Sequence, residues 1–211
     1  MITLNYLKLH GKRYSKIARI NMNSDIQRNI DVIDEMYSAG INKKENIAYE
    51  ISERIRTLSS QKEISDEELQ EEVNFLSEND PSDEIIELIE EMQIVSLYKS
   101  VEITIIKMLN ISDLLSDKEQ GFKFSITKLE NFYKHHDLNI KELEGFSAFD
   151  ELRLINNCVK HSGRVNKALS KYQHWNLEDK VTNCSAAYDR LKQDVQKFVL
   201  ALGNALHNKI A

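Results

Sequence analysis

Residues 83–110 read DEIIELIEEMQIVSLYKSVEITIIKMLN, with no glycine or proline to interrupt them. Ile85, Leu88, Ile89, Met92, Val95 and Ile106 recur at helical spacing, and the second half is apolar nearly all round. A helix of that kind is buried on most sides, so the stretch predicts a long central helix with others packed around it. The break before it is sharp. In Asn79-Asp80-Pro81-Ser82 the proline disfavours a helix running into it, and Ser82 is placed to cap the one that follows.

Working outward, the same logic gives helices almost everywhere. The chain has 211 residues, one proline (Pro81) and only six glycines, and charged residues make up 29%. Few breakers and many Glu, Lys, Leu and Ile favour an all-α fold with a real core. Upstream, Ser24 with Gln27 reads as a capping box opening a helix to about Ser38, with Gly40 as its stop. A second helix covers roughly 43–58, and Ser65 with Glu68 opens a short acidic one to about Ser77. Residues 1–23 fit a strand at Ile2, Leu4 and Tyr6 or a helix at Leu7, Ile17 and Ile20, and both readings stay open.

Downstream, a loop near 112–116 leads to a helix over roughly 117–135, and Gly145 ends the next connection. Ser147-Ala148-Phe149-Asp150 reads as the cap of a helix running to about 160–162, where Gly163 can stop or interrupt it. The last helix is expected from near Asn176 to Asn208, with Ala187, Leu191, Val195, Phe198, Leu202 and Leu206 as its core stripe. The expected organisation is an acidic helical region over 1–80, with a basic first segment, followed by an up-and-down bundle over 81–211.

Charge is uneven along the chain. Residues 1–120 hold 14 Lys and Arg against 24 Asp and Glu, whereas residues 121–211 hold 14 against 10, so the halves carry -10 and +4. A polyanion-binding surface is therefore expected on the C-terminal part and not on the whole protein. No stretch approaches the roughly 18 uncharged apolar residues of a membrane span, and the start lacks a signal peptide's apolar run. Cys158 and Cys184 are too few for a disulfide framework and lack metal-ligand spacing. Reduced thiols, a cytoplasmic address, no metal and no cofactor are the resulting expectations.

One segment carries candidate chemistry. On a helix of about 100° per residue, Arg153 at zero puts Asn157 near 40°, Lys160 near -20° and His161 near 80°. Leu152, Leu154, Ile155, Cys158 and Val159 fill the other side. Such a two-faced pattern is what any surface helix shows. The arc nevertheless reads as free of carboxylates, and the basic series continues at Arg164, Lys167 and Lys171. If the helix persists past Gly163, these form one stripe suited to phosphates. A histidine can move a proton at a ribose 2′-OH, an arginine can grip phosphate, and an asparagine can orient either.

That string, late in an all-α bundle and after a long central helix, resembles the signature of the HEPN superfamily, the higher eukaryotes and prokaryotes nucleotide-binding domains. The resemblance covers about residues 83–211 and rests on a short motif. It implies a metal-independent endoribonuclease that cleaves RNA through 2′-OH attack and acts as a homodimer with both motifs in one cleft. It also implies a toxin–antitoxin or antiviral defence setting, with an antitoxin or defence-complex protein as partner. His161 would be the acid or base, Arg153 and Lys160 would clamp phosphate, and Asn157 would orient them. Arg164, Lys167 and Lys171 would extend the RNA contact, with Glu102 and Tyr98 supporting. The sequence departs from the family in one respect: seven residues separate Arg153 from His161 where four to six are usual, and Asn156 stands where the family arginine would be. A second expectation is therefore a catalytically silent dimerisation or docking module on the same scaffold.

His135-His136 at a helix end suit the helix dipole better than a metal. Tyr172 and Trp175 could stack on a base or anchor a loop, and the loop role is the commoner one. Glu102, on the central helix, either supports the motif or pairs with a neighbouring cation.

Overall fold

The computed structural model describes residues 16, 18–21, 24–60, 64–112, 114–115 and 124–210. Among the described residues there is no β-strand, and the protein is an all-α helical bundle. The helices described over their whole length are α1 (Gln27–Ser59), α2 (Asp66–Glu78), α3 (Ser82–Ser112), α4 (Ile126–His135), α5 (Phe146–His161) and α6 (Cys184–Ile210). Short 3-10 turns lie at Ile140–Glu142 and Leu169–Lys171. Among the described residues no helix is long and apolar enough to cross a membrane.

The central helix expected from residues 83–110 is α3. It packs against α6, α1 and α5, and it buries Ile94, Leu97, Val101, Ile105, Met108 and Leu109. Its first turn is organised by Asp80, whose carboxylate accepts the Ser82 backbone N–H at 2.9 Å. The Ser82 side chain is buried and caps nothing, in contrast to the expectation. The box at Ser65 and Glu68 forms as the spacing predicts.

Three expected boundaries are displaced. Gly40 does not end a helix, because α1 runs unbroken from Gln27 to Ser59. The glycine lies against Ile89 of α3, whose side chain a Cβ would strike. Close helix approach, not chain termination, is what it supplies. Nor is there a Ser24–Gln27 box: the cap position is Ile26, and Asp25 accepts the Gln27 N–H at 2.9 Å. The helix expected from residue 117 begins instead at Ile126, capped by Ser125; residues 116–123 lie outside the described residues. Of the segment 1–23 whose reading was open, residues 16 and 18–21 are helical with Ile20 buried, and 1–15, 17, 22 and 23 lie outside the described residues.

The core crosses Pro81. Ile26, the cap of α1, and Ile30 and Ile33 within it belong to the same buried cluster as residues of α3, α5 and α6. Beyond Gly40, Lys44 reaches Asp83 at 3.4 Å, and farther on Arg54 binds Glu72 of α2 at 2.9 Å. No residue of α2 is buried.

The start of α5 is fixed differently from the expectation at Ser147-Ala148-Phe149-Asp150. Its cap is Gly145 at φ +78, with no side-chain hydrogen bond. A Cβ there would collide with the Asp194 carbonyl and the Phe198 amide of α6. Only glycine satisfies both the left-handed conformation and the approach. Gly145→Ala is expected to lower stability by about 3 kcal/mol or more. Thermal unfolding would register this as a fall of roughly 6 °C or more. An unchanged transition would show that α5 does not begin on α6 in this way.

Candidate functional site

The face of α5 bearing Arg153 is open to solvent along part of its length: Arg153 and Asn157 are half-buried, and Lys160 and His161 are exposed. It is not free of carboxylate. Asp150, one turn before Arg153, accepts from its Nε at 3.0 Å and its Nη2 at 2.6 Å. The second Asp150 oxygen accepts the Tyr172 hydroxyl at 3.0 Å. The expected cationic arc is thus neutralised at its N-terminal end, because a three-residue spacing places Asp150 and Arg153 together on one side of the helix. Burial, the Asp150 charge and the hydrogen bond together push the Tyr172 hydroxyl up to about 12.

Of the two residues expected to support the motif, Tyr98 lies against this face. Tyr98 of α3 stacks on Phe149 of α5, and the Lys160 ammonium lies 5.9 Å from the Tyr98 ring centre. Burial and the nearby Glu102 raise the Tyr98 hydroxyl, while Arg153 opposes them. Glu102 itself binds Lys99 at 2.9 Å, the neighbouring-cation alternative.

The basic series does not continue as one helical stripe. Gly163, at φ +62, donates its N–H to Cys158 O at 2.8 Å, and the left-handed turn there ends α5. Beyond it the chain turns into an antiparallel bridge between Arg164 and Lys180. The Arg164 guanidinium donates to the Glu178 carbonyl at 2.9 Å. Lys167 and Lys171 are exposed, the latter in the second 3-10 turn. Loop and bridge occupy residues where the last helix was expected to have begun; α6 starts only at Cys184.

The strongest polar cluster lies on the opposite, buried side of α5. Glu151 is 4% exposed. Arg190 of α6 grips it at both oxygens, at 2.6 and 2.9 Å, and the Trp175 indole N–H donates at 2.7 Å. A buried carboxylate is tolerable only when its lone pairs are filled, and here three donors from two segments fill them. Trp175 and Tyr172 therefore act as loop anchors. Beside this cluster is a cleft of about 520 Å³ lined by His174, Trp175, Asp179, Lys180, Asn183 and Arg190 among others. Lys180 is already paired with Glu87 of α3.

Sequence reasoning missed Asp150, Glu151 and Arg190. The available signal was Glu151, a carboxylate among Leu152, Leu154 and Ile155 on the apolar side, which demands a buried cation. Asn156, where the HEPN resemblance expects an arginine, is buried with its side-chain oxygen unpaired. Among the described residues no three His, Cys, Asp or Glu side chains converge as metal ligands. No family model, curated protein or solved structure matches the chain.

Removing one partner of the buried pair is expected to be costly. Arg190→Ala strands the Glu151 carboxylate and should lose about 3 kcal/mol in chemical denaturation. Glu151→Ala frees Trp175, the chain's one tryptophan, so its emission should shift to the red. Retained stability and unchanged emission would dismiss the cluster as an anchor.

Alkaline stability follows from two groups with raised values. Burial, with Glu91, Glu90 and Glu87 nearby, pushes the Cys184 thiol up to about 12. For both Cys184 and Tyr172 the folded value lies above the unfolded one, so the neutral form is favoured by folding. Their contribution is complete below pH 9 for the thiol and below pH 10 for the phenol, and is lost as pH climbs towards 12. Tyr172→Phe should flatten the denaturation profile between pH 10 and 12, and an unchanged profile would refute the assignment.

Proposed function

We propose that the protein is a non-catalytic helical interaction module. The observation that carries this reading is the Asp150–Arg153–Tyr172 network. A guanidinium already held by a carboxylate at two of its nitrogens must give up that partner before it can grip a phosphate. The buried Asn156 supplies no substitute for it. The remaining exposed cations, Lys160, Arg164, Lys167 and Lys171, are a dispersed surface charge, and such charge favours weak, salt-sensitive contacts.

A second reading is a metal-independent endoribonuclease of the HEPN type, acting in a toxin–antitoxin or defence system. It is favoured by the exposure of Lys160 and His161 at the end of α5, with Asn157 one turn before them. In that reading phosphate displaces Asp150 from Arg153, and His161 moves the proton at the 2′-OH.

RNA digestion in EDTA separates the two. For the module, wild type, His161→Ala and Asp150→Asn all leave RNA intact. Cleavage by wild type that His161→Ala abolishes and Asp150→Asn accelerates would overturn the module in favour of the nuclease.

A further inference from the structure

The distal part of α1 and the whole of α2 form a two-helix arm without a core of its own. Beyond Ile33 no residue of α1 is buried, and none of α2 is. α2 packs mainly against α1, and Arg54 ties the two together through Glu72 at 2.9 Å. Their apolar rows are Ile47, Ile51, Ile55 and Leu58 on α1, and Leu69, Val73 and Leu76 on α2. Both rows step by three and four residues, the spacing of a helix face that seeks a neighbour. Every one of these side chains stays half-buried, whereas the equivalent rows of α3 and α6 in the bundle are fully buried. A helix of 13 residues such as α2 is marginal in water, and helices in proteins owe most of their stability to a covered apolar face. The arm is a seam that lacks its third helix.

Charge identifies the missing helix. α2 carries Asp66, Glu67, Glu68, Glu71, Glu72 and Glu78, and no Lys, Arg or His. Glu72 is held by Arg54 and Glu68 closes the capping box; Asp66, Glu67, Glu71 and Glu78 have no cation partner among the described residues. The cations of α1 along the arm are already engaged, Lys44 with Asp83, Arg54 with Glu72 and Arg56 with Glu53, which leaves Lys43 against Glu45 and Glu50. Phe75 is 59% exposed, with Glu71 and Glu72 one turn before it and Glu78 one turn after, so a large apolar side chain stands among carboxylates. Such a face repels nucleic acid and anionic lipid. A helix with cations flanking an apolar row complements it in both respects. We propose that the arm docks a cationic amphipathic helix of another protein, whose apolar row completes the seam while its lysines or arginines meet Glu71 and Glu78 beside Phe75. The proposal rests on the module reading and names the chemistry of the partner. The arm precedes residues 83–211, over which the resemblance to HEPN domains extends, so that resemblance implies nothing about it.

The test uses the full chain and a synthetic leucine–lysine peptide of about 18 residues, amphipathic as a helix, beside a scrambled peptide of the same composition. Anisotropy of the labelled peptide should report binding on the order of micromolar, and scrambling should weaken it by roughly tenfold or more. Phe75→Ala should weaken binding by roughly tenfold, and so should Glu71→Lys combined with Glu78→Lys. All three positions are exposed, so helical circular dichroism should not change. Hydrogen exchange locates the contact: amides of 43–59 and 66–78 should exchange fast in the free chain and slow when the peptide binds. Absence of binding, equal binding of the scrambled peptide, or indifference to the arm variants would each overturn the proposal. So would an arm already protected in the free chain, because the chain itself or a second copy would then cover it. RNA cleavage through His161 would remove the module reading without moving any of these readouts.

Discussion

Glu151 is the constraint on which the C-terminal half of the fold depends. It sits one residue after Asp150 on α5, and the step of about 100° sends the two carboxylates to opposite sides of the helix. Glu151 enters the interior, where Arg190 from α6 and Trp175 from the 163–183 loop fill its lone pairs. Burying this charge costs several kcal/mol, and close hydrogen-bonded geometry is what offsets it. The outcome is less a gain in stability than a fixed arrangement of three segments. Gly145 supplies the other fixed point, where α5 begins directly on the backbone of α6.

With α5 fixed at both points, the character of its outer face follows. Asp150 is turned outward and binds Arg153, and Tyr172, brought close by the loop that Trp175 anchors, closes the far side of the carboxylate. The loop therefore does two things. It completes the buried pair, and it contributes the hydroxyl that keeps Arg153 and Asp150 together. A helix that presented Arg153 free to a phosphate would need Asp150 displaced, and the energy to displace a charge-assisted pair would come out of binding.

Much of this was legible from residue order, and the failures have physical causes. The long apolar run at 83–110 specified α3 because periodicity over many turns is a redundant signal. The Ser65 box was legible because both partners lie within one turn. Gly40 was misread because a glycine that ends a helix and one that admits a neighbouring helix look alike in one dimension; only Ile89 distinguishes them. The start of α6 was placed too early because the loop is held by long-range contacts, Arg164 to Glu178 and Val165 to Asp179, that no local pattern encodes. The two-sidedness of α5 is legible in its periodicity, whereas the charge of its outer face is not, because Asp150 lies in the turn before Arg153.

The same turn bears on why an exposed lysine should sit where Lys160 does. Tyr98 is stacked on Phe149 and half-buried, so its ring face is a fixed, partly desolvated surface, and a cation over such a face is held more firmly than one in water. Arg153, the other cation of the arc, is occupied by Asp150, which leaves Lys160 as the charge of this face that is positioned but has no carboxylate partner among the described residues. The outer face thus ties α5 to α3 as well: the Lys160 ammonium lies over the Tyr98 ring, and that ring stacks on Phe149.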